Sequence, residues 1–163
     1  MTSEKSYSTA QRLDSHISNH PLTLTSTGNP QNITTTSDTA INGLSATVTA
    51  GMYRVHGVIF WQQGSTASVQ NFSIHGPTVS RMQVWYEHFL NGGGASNGVG
   101  RWTNVSVQAG SPNFAANSVV FFTFDGVIEF SAGGTFSVQV SEGTAGNALS
   151  ILIDSFCDLW PVI

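Results

Sequence analysis

The sequence predicts an all-β fold, an antiparallel sandwich or barrel of about eight to ten strands. Apolar and polar residues alternate with a period of two in most segments after residue 39, as expected for strands with one buried face. Turn residues separate these segments at intervals of roughly ten residues. No helical periodicity lies between the segments, so the crossover helices that a parallel sheet requires are not predicted.

The composition limits the classes of protein that fit. The chain has 163 residues, of which 40% are apolar, the size of one domain plus an appendage. Only 9% of the residues are charged, so the surface is predicted to be polar but nearly uncharged. The five Lys and Arg residues are scattered and the net charge is −4, which opposes nucleic-acid binding because phosphate neutralisation requires clustered basic residues.

No targeting or membrane signal is found in the sequence. The N-terminal residues lack the apolar segment of a signal peptide, and no run approaches the roughly twenty apolar residues of a membrane span. We therefore expect a protein made in the cytoplasm without a membrane partner. The single cysteine, Cys157, lies in an apolar run and is predicted to be a packed residue rather than a nucleophile.

Residues 1–38 are predicted to form an N-terminal arm or linker, and residues 39–163 the domain. A short helix is predicted before Pro21 from apolar residues at spacings of three and four. These residues are Tyr7, Ala10, Leu13 and Ile17. Residues 21–38 are rich in threonine and suit an extended arm that docks on a partner. A frayed terminus fits residues 1–38 equally well.

The first long strand of the domain is predicted to follow a turn at residues 49–52. Its core face is expected to carry Tyr53, Val55, Gly57, Ile59 and Trp61. The opposite face is also mostly apolar at its far end, so this strand is predicted to be central in its sheet. Strand signals before and after it cover residues 39–48, 69–75, 79–90, 101–108, 148–153 and 156–162, and a glycine-rich loop is predicted at residues 91–100.

The densest apolar segment covers residues 118–141. Its even positions carry Val120, Phe122, Phe124, Gly126, Ile128 and Phe130. This period of two predicts a long strand with its even side chains in the core, bulged at Gly126. The odd face, apolar at Val119 and Phe121 and polar by Glu129, is left for neighbouring subunits.

Two turn signals compete inside this segment, at residues 125–126 and at residues 132–134. A two-residue turn at the first would place Phe122 opposite Glu129 and mix apolar with polar side chains on one face. A three-residue loop at the second would place Phe130 opposite Phe136 and would offer a glycine for the left-handed position. We therefore predict a hairpin that turns at residues 132–134.

Four stretches of the sequence together resemble a known kind of protein. They cover residues 49–55, 74–77, 126–128 and 131–139. Their turns and alternation resemble small structural subunits of tailed bacteriophages, whose domains look like the jelly rolls of tumour necrosis factor and of complement globular heads. The resemblance extends over residues 39–163 and leaves the arm unmatched. It implies a jelly roll, a homotrimer packed through aromatic faces, a place on the virion, and no catalytic residues.

Candidates for enzyme chemistry are few. The histidines and carboxylates considered are His56, His75, His88, Glu87, Asp125 and Glu129. Their spacings match no metal-binding motif. A trimer could still form a site on its axis from one histidine of each chain, and a single sequence would not reveal it. Asp125 and Glu129 would lie about 13 Å apart on one strand, farther than the roughly 5–9.5 Å of glycosidase pairs. We therefore predict no enzyme activity, no cofactor and no metal site.

The strand faces offer more apolar surface than one sandwich can bury, which favours an oligomer. The candidates for the shared face are Trp85, Val119, Phe121, Val127 and Trp160, with the C-terminal residues around Trp160. A cyclic homotrimer is the symmetry that the resemblance favours, and a dimer would satisfy the physics equally.

Three functions are compared. The leading hypothesis is a non-enzymatic virion protein that decorates or stabilises a bacteriophage capsid, with its arm on the major capsid protein or other virion proteins. The alternative is a tail-associated or receptor-binding module for host surface glycans, with Trp102 and Trp85 as candidate glycan contacts. A hydrolase of cell-wall polymers is the third, and it would require a pocket that gathers histidine and carboxylate side chains.

Overall fold

The computed structural model describes residues 21–28, 30–64, 68–90, 98–111, 114–144 and 146–162, without the side chain of Leu90. This part of the chain contains twelve strands and no helix. The strands are β1 Leu22–Thr25, β2 Gln31–Ile33, β3 Thr39–Val48, β4 Gly51–Gln63, β5 Gln70–His75, β6 Val79–Leu90, β7 Gly98–Trp102, β8 Ala109–Gly110, β9 Val119–Phe130, β10 Gly134–Glu142, β11 Leu149–Ile151 and β12 Phe156–Val162. The helix predicted in residues 1–20 lies outside the described residues.

The strands form two antiparallel sheets that pack face to face. The larger sheet has the order β1-β12-β4-β9-β6-β7, and β11 joins it by pairing with β2 and β4. The smaller sheet has the order β3-β10-β5-β8. The chain passes from one sheet to the other between most successive strands, which is the connectivity of a jelly roll. The predicted antiparallel sandwich is confirmed.

The core lies between the sheets and follows the predicted alternation. On β4 the residues at odd positions from Tyr53 to Trp61 are buried, and on β9 the residues at even positions are buried except Gly126. Phe72 of the smaller sheet stacks on Phe122 of the larger one with ring centroids 4.6 Å apart. The predicted central position of β4 is confirmed, because β12 and β9 flank it.

The predicted hairpin at residues 132–134 is wrong. Strand β9 pairs with β4 and β6, whereas β10 pairs with β3 and β5 in the opposite sheet. Phe130 and Phe136 do meet, with ring centroids 6.4 Å apart, but they meet across the core as an edge-to-face pair. Residues 131–133 therefore join the two sheets. Alternation fixed which side chains are buried, but it could not specify which strand lies alongside.

The predicted bulge at Gly126 is absent, since β9 pairs with β4 without a register shift from Phe130 to Val119. Gly126 instead allows two strands to approach closely. A Cβ atom at this position would collide with the carbonyl oxygen of Gln83 and the Cα of Val84 on β6.

The predicted strand at residues 101–108 is displaced. The strand that pairs with β6 is Gly98–Trp102, so it begins inside the predicted glycine-rich loop. Residues 103–108 instead form an irregular segment, which is joined to the smaller sheet by the hydrogen bond from the Ser106 N–H to the carbonyl oxygen of Ile74.

The prediction of an arm needs correction for residues 21–38. Strand β1 pairs with β12, with Leu22 opposite Leu159, and β2 pairs with β11, with Ile33 opposite Leu149. Ile33 is buried in the common core. The β-branched threonines that suggested an extended linker are also strong strand formers, and here they have partners. Residues 21–38 therefore belong to the sandwich.

Candidate subunit-contact surface

The outer face of the larger sheet carries a row of three aromatic rings from three neighbouring strands. The register places Phe60 of β4 opposite Phe121 of β9, and Phe121 opposite Phe89 of β6. Phe89 and Phe121 are stacked with ring centroids 4.8 Å apart, and Phe60 lies 6.3 Å from Phe121. All three are half-buried and point away from the core, and we call them the aromatic row.

More apolar side chains surround the aromatic row on the same face. Val58 is opposite Phe156 of β12, and Val119 lies two residues before Phe121 on β9. These side chains are half-buried as well. The result is a contiguous apolar patch that the described part of the chain leaves partly exposed, unlike the scattered apolar residues of an ordinary protein surface.

Charged groups occupy the middle of this face. Asp125 Oδ2 lies 3.3 Å from the guanidinium of Arg54 and 3.4 Å from Nδ1 of His56. The groups are substantially exposed, so water screens their attraction and the pairing adds little to stability. Both contacts are made to the Oδ2 atom of Asp125.

Trp85 is the most exposed aromatic side chain of the described residues, with 62% of its surface accessible. The guanidinium carbon of Arg101 lies 5.5 Å from its ring centroid, a cation–π contact. Beside it is a shallow depression of about 290 Å³, which we call the Trp85 depression. Its lining residues are His56, Trp85, Tyr86, Glu87, Val99, Thr123, Phe124 and Asp125.

The structure places all five residues predicted for a subunit contact on this one outer face. Trp160 is opposite Arg54, and Arg54 is opposite Val127, so Trp160 and Val127 lie in one cross-strand row. Phe121 and Val119 follow along β9, and Trp85 is opposite Asp125 on β6. The side chains at these positions are half-buried or exposed. Their role in a contact between subunits stays a prediction.

Trp102 has to be removed from the candidate glycan contacts. Its side chain is fully buried, with ring centroids 5.0 Å from Tyr86 and 5.5 Å from Phe122. Trp102 is opposite Val84, a core residue, so the pairing of β7 with β6 turns its ring inward. A buried ring offers no surface for a sugar, whereas Trp85 does.

The three candidate histidines lie in different places and do not converge. His56 is on the outer face of the larger sheet, and His75 is on the smaller sheet beside Asp38. His88 lies in the core among aromatic rings, and burial lowers its pKa to about 4. No group of three or more His, Cys, Asp or Glu side chains in the described ranges is arranged to hold a metal ion.

A polar cluster around Asp38 was not predicted from the sequence. The Asp38 carboxylate accepts hydrogen bonds from three separate strands or segments at 2.8–3.0 Å. The donors are Ser73, His75, Gln108 and Ser141. Burial alone would raise the pKa of Asp38, but these hydrogen bonds outweigh it and hold the pKa below its usual value. No local pattern reveals such a cluster, because its members are far apart in the sequence.

The Asp38 cluster fastens the irregular segment 103–108 to the smaller sheet. Ser106 Oγ lies 3.4 Å from Nδ1 of His75, which gives a Ser–His–Asp arrangement. The backbone N–H of Ser106, which an oxyanion would need, is donated to the carbonyl oxygen of Ile74 at 2.7 Å. These contacts link the loop to the smaller sheet.

None of the described segments forms a helix that could cross a membrane. The fold and this surface together define a jelly-roll sandwich with one apolar sheet face open to a partner.

No protein-family model matches the chain, and the search of curated proteins finds no match. Among solved structures, the chain is similar to a chain in the structure of infectious bursal disease virus Gx strain, with 9% sequence identity. The match covers 88% of this chain but only 38% of the viral chain, and the TM-score is 0.29. A similarity of this size carries no argument about function, which has to be inferred from the surface.

Proposed function

We propose that the chain is a non-enzymatic structural subunit of a virus particle, and that it forms a homotrimer through the outer face of its larger sheet. The observation that carries the proposal is the aromatic row, in which Phe60, Phe89 and Phe121 lie side by side toward solvent. Apolar surface of this kind on a soluble domain is typical of an interface with another protein.

The size of the face agrees with a subunit contact. Four strands, β12, β4, β9 and β6, span about 19 Å at the usual spacing, and β4 from Met52 to Gln62 is about 33 Å long. These two lengths give the face an area of about 600 Å² per subunit. Two surfaces of this size in contact would bury about 1,200 Å², the lower limit for a stable specific interface. The cross-strand aromatic pairs toward one end of this face are the kind of residue that dominates binding energy in interfaces.

The virion role and the threefold symmetry are supported by the resemblance of residues 39–163 to bacteriophage structural subunits. The scarcity of charge agrees with a surface that packs against other subunits. We propose that the trimer decorates and stabilises the capsid of a tailed bacteriophage. Residues 1–20, which precede the sandwich, would carry the attachment to the major capsid protein.

The oligomer is tested by light scattering coupled to size exclusion. The wild-type chain is expected to give about 52 kDa, three times 17.3 kDa, and Phe121→Ser is expected to give a folded monomer. Val107→Ser is the matched control, because Val107 is 45% exposed but lies in the segment over the smaller sheet. If Phe121→Ser remained a stable trimer, the proposed contact would be refuted. If the wild-type chain had the molar mass of a dimer, the proposed threefold symmetry would be wrong.

A second candidate function is a tail-associated or receptor-binding module that recognises host surface glycans. One observation favours it, the exposed ring of Trp85 beside a depression that contains carboxylates.

A further inference from the structure

We propose that the Trp85 depression binds the ring of a neutral pyranose sugar, with Trp85 as the stacking surface and Asp125 as an acceptor for the sugar hydroxyls. The inference deepens the glycan-binding candidate and rests on it. It assigns Trp85 to a ligand, and leaves the contact between subunits to the aromatic row.

Trp85 has the properties of a stacking surface. More than half of its side chain is accessible, and the Arg101 guanidinium over the ring limits its movement. An indole ring offers a broad apolar face, which suits the C–H face of a pyranose, together with a polar N–H group at its edge. A ring that is already held in place loses little conformational freedom when a ligand binds.

Asp125 supplies the polar half of the site. Arg54 and His56 both contact its Oδ2 atom, and the contacts seen among the described residues leave Oδ1 to accept a hydrogen bond from a hydroxyl group. The carboxylate is about half exposed, so a ligand can reach it. Hydrogen bonds to an ionised acceptor are stronger than those between neutral groups, which favours a carboxylate for gripping hydroxyls.

The charges of the depression favour a neutral sugar over an acidic one. Two carboxylates line it, those of Asp125 and Glu87. The nearby cations are already engaged, Arg54 with Asp125 and Arg101 with the ring of Trp85. An acidic sugar would therefore be repelled without gaining a free positive partner.

The shape of the depression limits both the size and the affinity of the ligand. Its volume of about 290 Å³ is at the lower end of small-molecule sites, and the exposed side chain of Val99 provides an apolar wall. It is shallow, so a monosaccharide is expected to bind with a dissociation constant of roughly 1 mM, equivalent to about −4 kcal/mol.

The depression shares the outer face of the larger sheet with the aromatic row, so the inference requires a subunit contact that covers the aromatic row and leaves the Trp85 depression open. Asp125 is four residues from Phe121 on β9, about 13 Å along the strand. Val99 belongs to β7, at the margin of the larger sheet, and is 70% exposed. A contact centred on the aromatic row would leave this margin at its accessible rim.

The test uses saturation-transfer NMR on the full chain with four probes, the methyl glycosides of glucose, galactose, mannose and N-acetylglucosamine. At least one probe is expected to receive saturation from the protein. Trp85→Ala is expected to abolish the transfer, and Asp125→Asn to weaken binding several-fold while the backbone spectrum stays that of the folded protein.

Trp160→Ala is the matched control, because Trp160 lies on the same face outside the depression. It is expected to bind like the wild type. The inference is overturned if no probe receives saturation, if Trp85→Ala binds unchanged, or if Trp160→Ala removes binding as completely. The molar mass of the oligomer is measured separately, so a failure here is distinct from a failure of the subunit contact.

Discussion

Phe89 and Phe121 stack on the solvent side of the larger sheet, with their ring planes within 13° of each other. Two rings that stack on an outer face do not add to the core of their own subunit. Their pairing presents a continuous apolar surface to solvent, which is typical of an interface with another protein.

Gly126→Ala is expected to lower the free energy of unfolding by about 1–3 kcal/mol, the usual cost of overpacking. The added methyl group would collide with backbone atoms of Gln83 and Val84, so β9 and β6 would have to separate beneath the apolar face. Urea unfolding measures the effect. Gly110→Ala is the control, since its nearest contact would be a side-chain atom at 3.4 Å, and equal losses in both variants would contradict the argument.

Asp38→Ala is expected to reduce stability by about 1–3 kcal/mol, because several donors would lose a charged acceptor. The segment 103–108 should become mobile first, since Gln108 is one of those donors. Hydrogen exchange of this segment and urea unfolding are the measurements. Asp154→Asn, at an exposed position, should leave both unchanged; a matching loss there would mean that Asp38 has no special role.

The Asp38 cluster also predicts a direction for acid unfolding. The pKa of Asp38 in the folded protein is below its ordinary value of 3.8, so the unfolded chain binds a proton more readily. The stabilisation is complete above that ordinary value and is lost as the pH falls through the lowered pKa. Unfolding midpoints of the wild type and Asp38→Asn should therefore converge at low pH, and a constant difference would contradict the charge-based account.

His88 predicts a loss of stability in mild acid. Its ring is fully buried between Phe72 and Phe122, and its pKa is lowered from 6.5 to about 4. The unfolded chain therefore binds more protons between these values, and stability falls as the pH drops from 6.5 toward 4. The shift corresponds to about 3 kcal/mol at roughly 1.4 kcal/mol per unit.

Urea unfolding between pH 7 and pH 4 tests the role of His88. His88→Phe should remove most of the decline, since the buried imidazole that must gain a proton would be gone. His56→Gln, on the outer face, should keep the decline. An unchanged pH dependence in His88→Phe would assign the effect to other groups.

Removal of residues 1–20 is expected to leave a folded oligomer that no longer attaches to particles lacking the subunit. Removal of residues 1–38 should instead lower the melting temperature, because it deletes β1, β2 and Asp38. Cosedimentation with such particles and thermal melting separate the two effects. If the variant without residues 1–20 still bound the particles fully, residues 1–20 would not be the attachment segment.

Much of the strand pattern could be predicted because it depends on local alternation. The bounds of β6 match the predicted residues 79–90, and the buried positions of β4 and β9 match the predicted parity. The same parity placed Phe121 on the outer face. Each of these features is set by the sequence within a single strand.

The candidate site could be predicted only in part. The sequence analysis proposed both Trp85 and Trp102 as glycan contacts. The structure exposes 62% of Trp85, which lies on the polar face of β6, and buries Trp102, because the register of β7 places it opposite the core residue Val84. A register between two strands is not encoded in either strand alone.

The sequence by itself therefore determined an antiparallel β fold, a central β4 and an apolar outer face around Phe121. The tertiary structure alone decided that β9 and β10 lie in opposite sheets, that residues 21–38 join the sandwich, and that Asp38 fastens a distant segment. The physical reason is the range of the interactions. Alternation is a property of neighbouring residues, whereas strand pairing and buried polar clusters depend on competition among segments far apart in the chain.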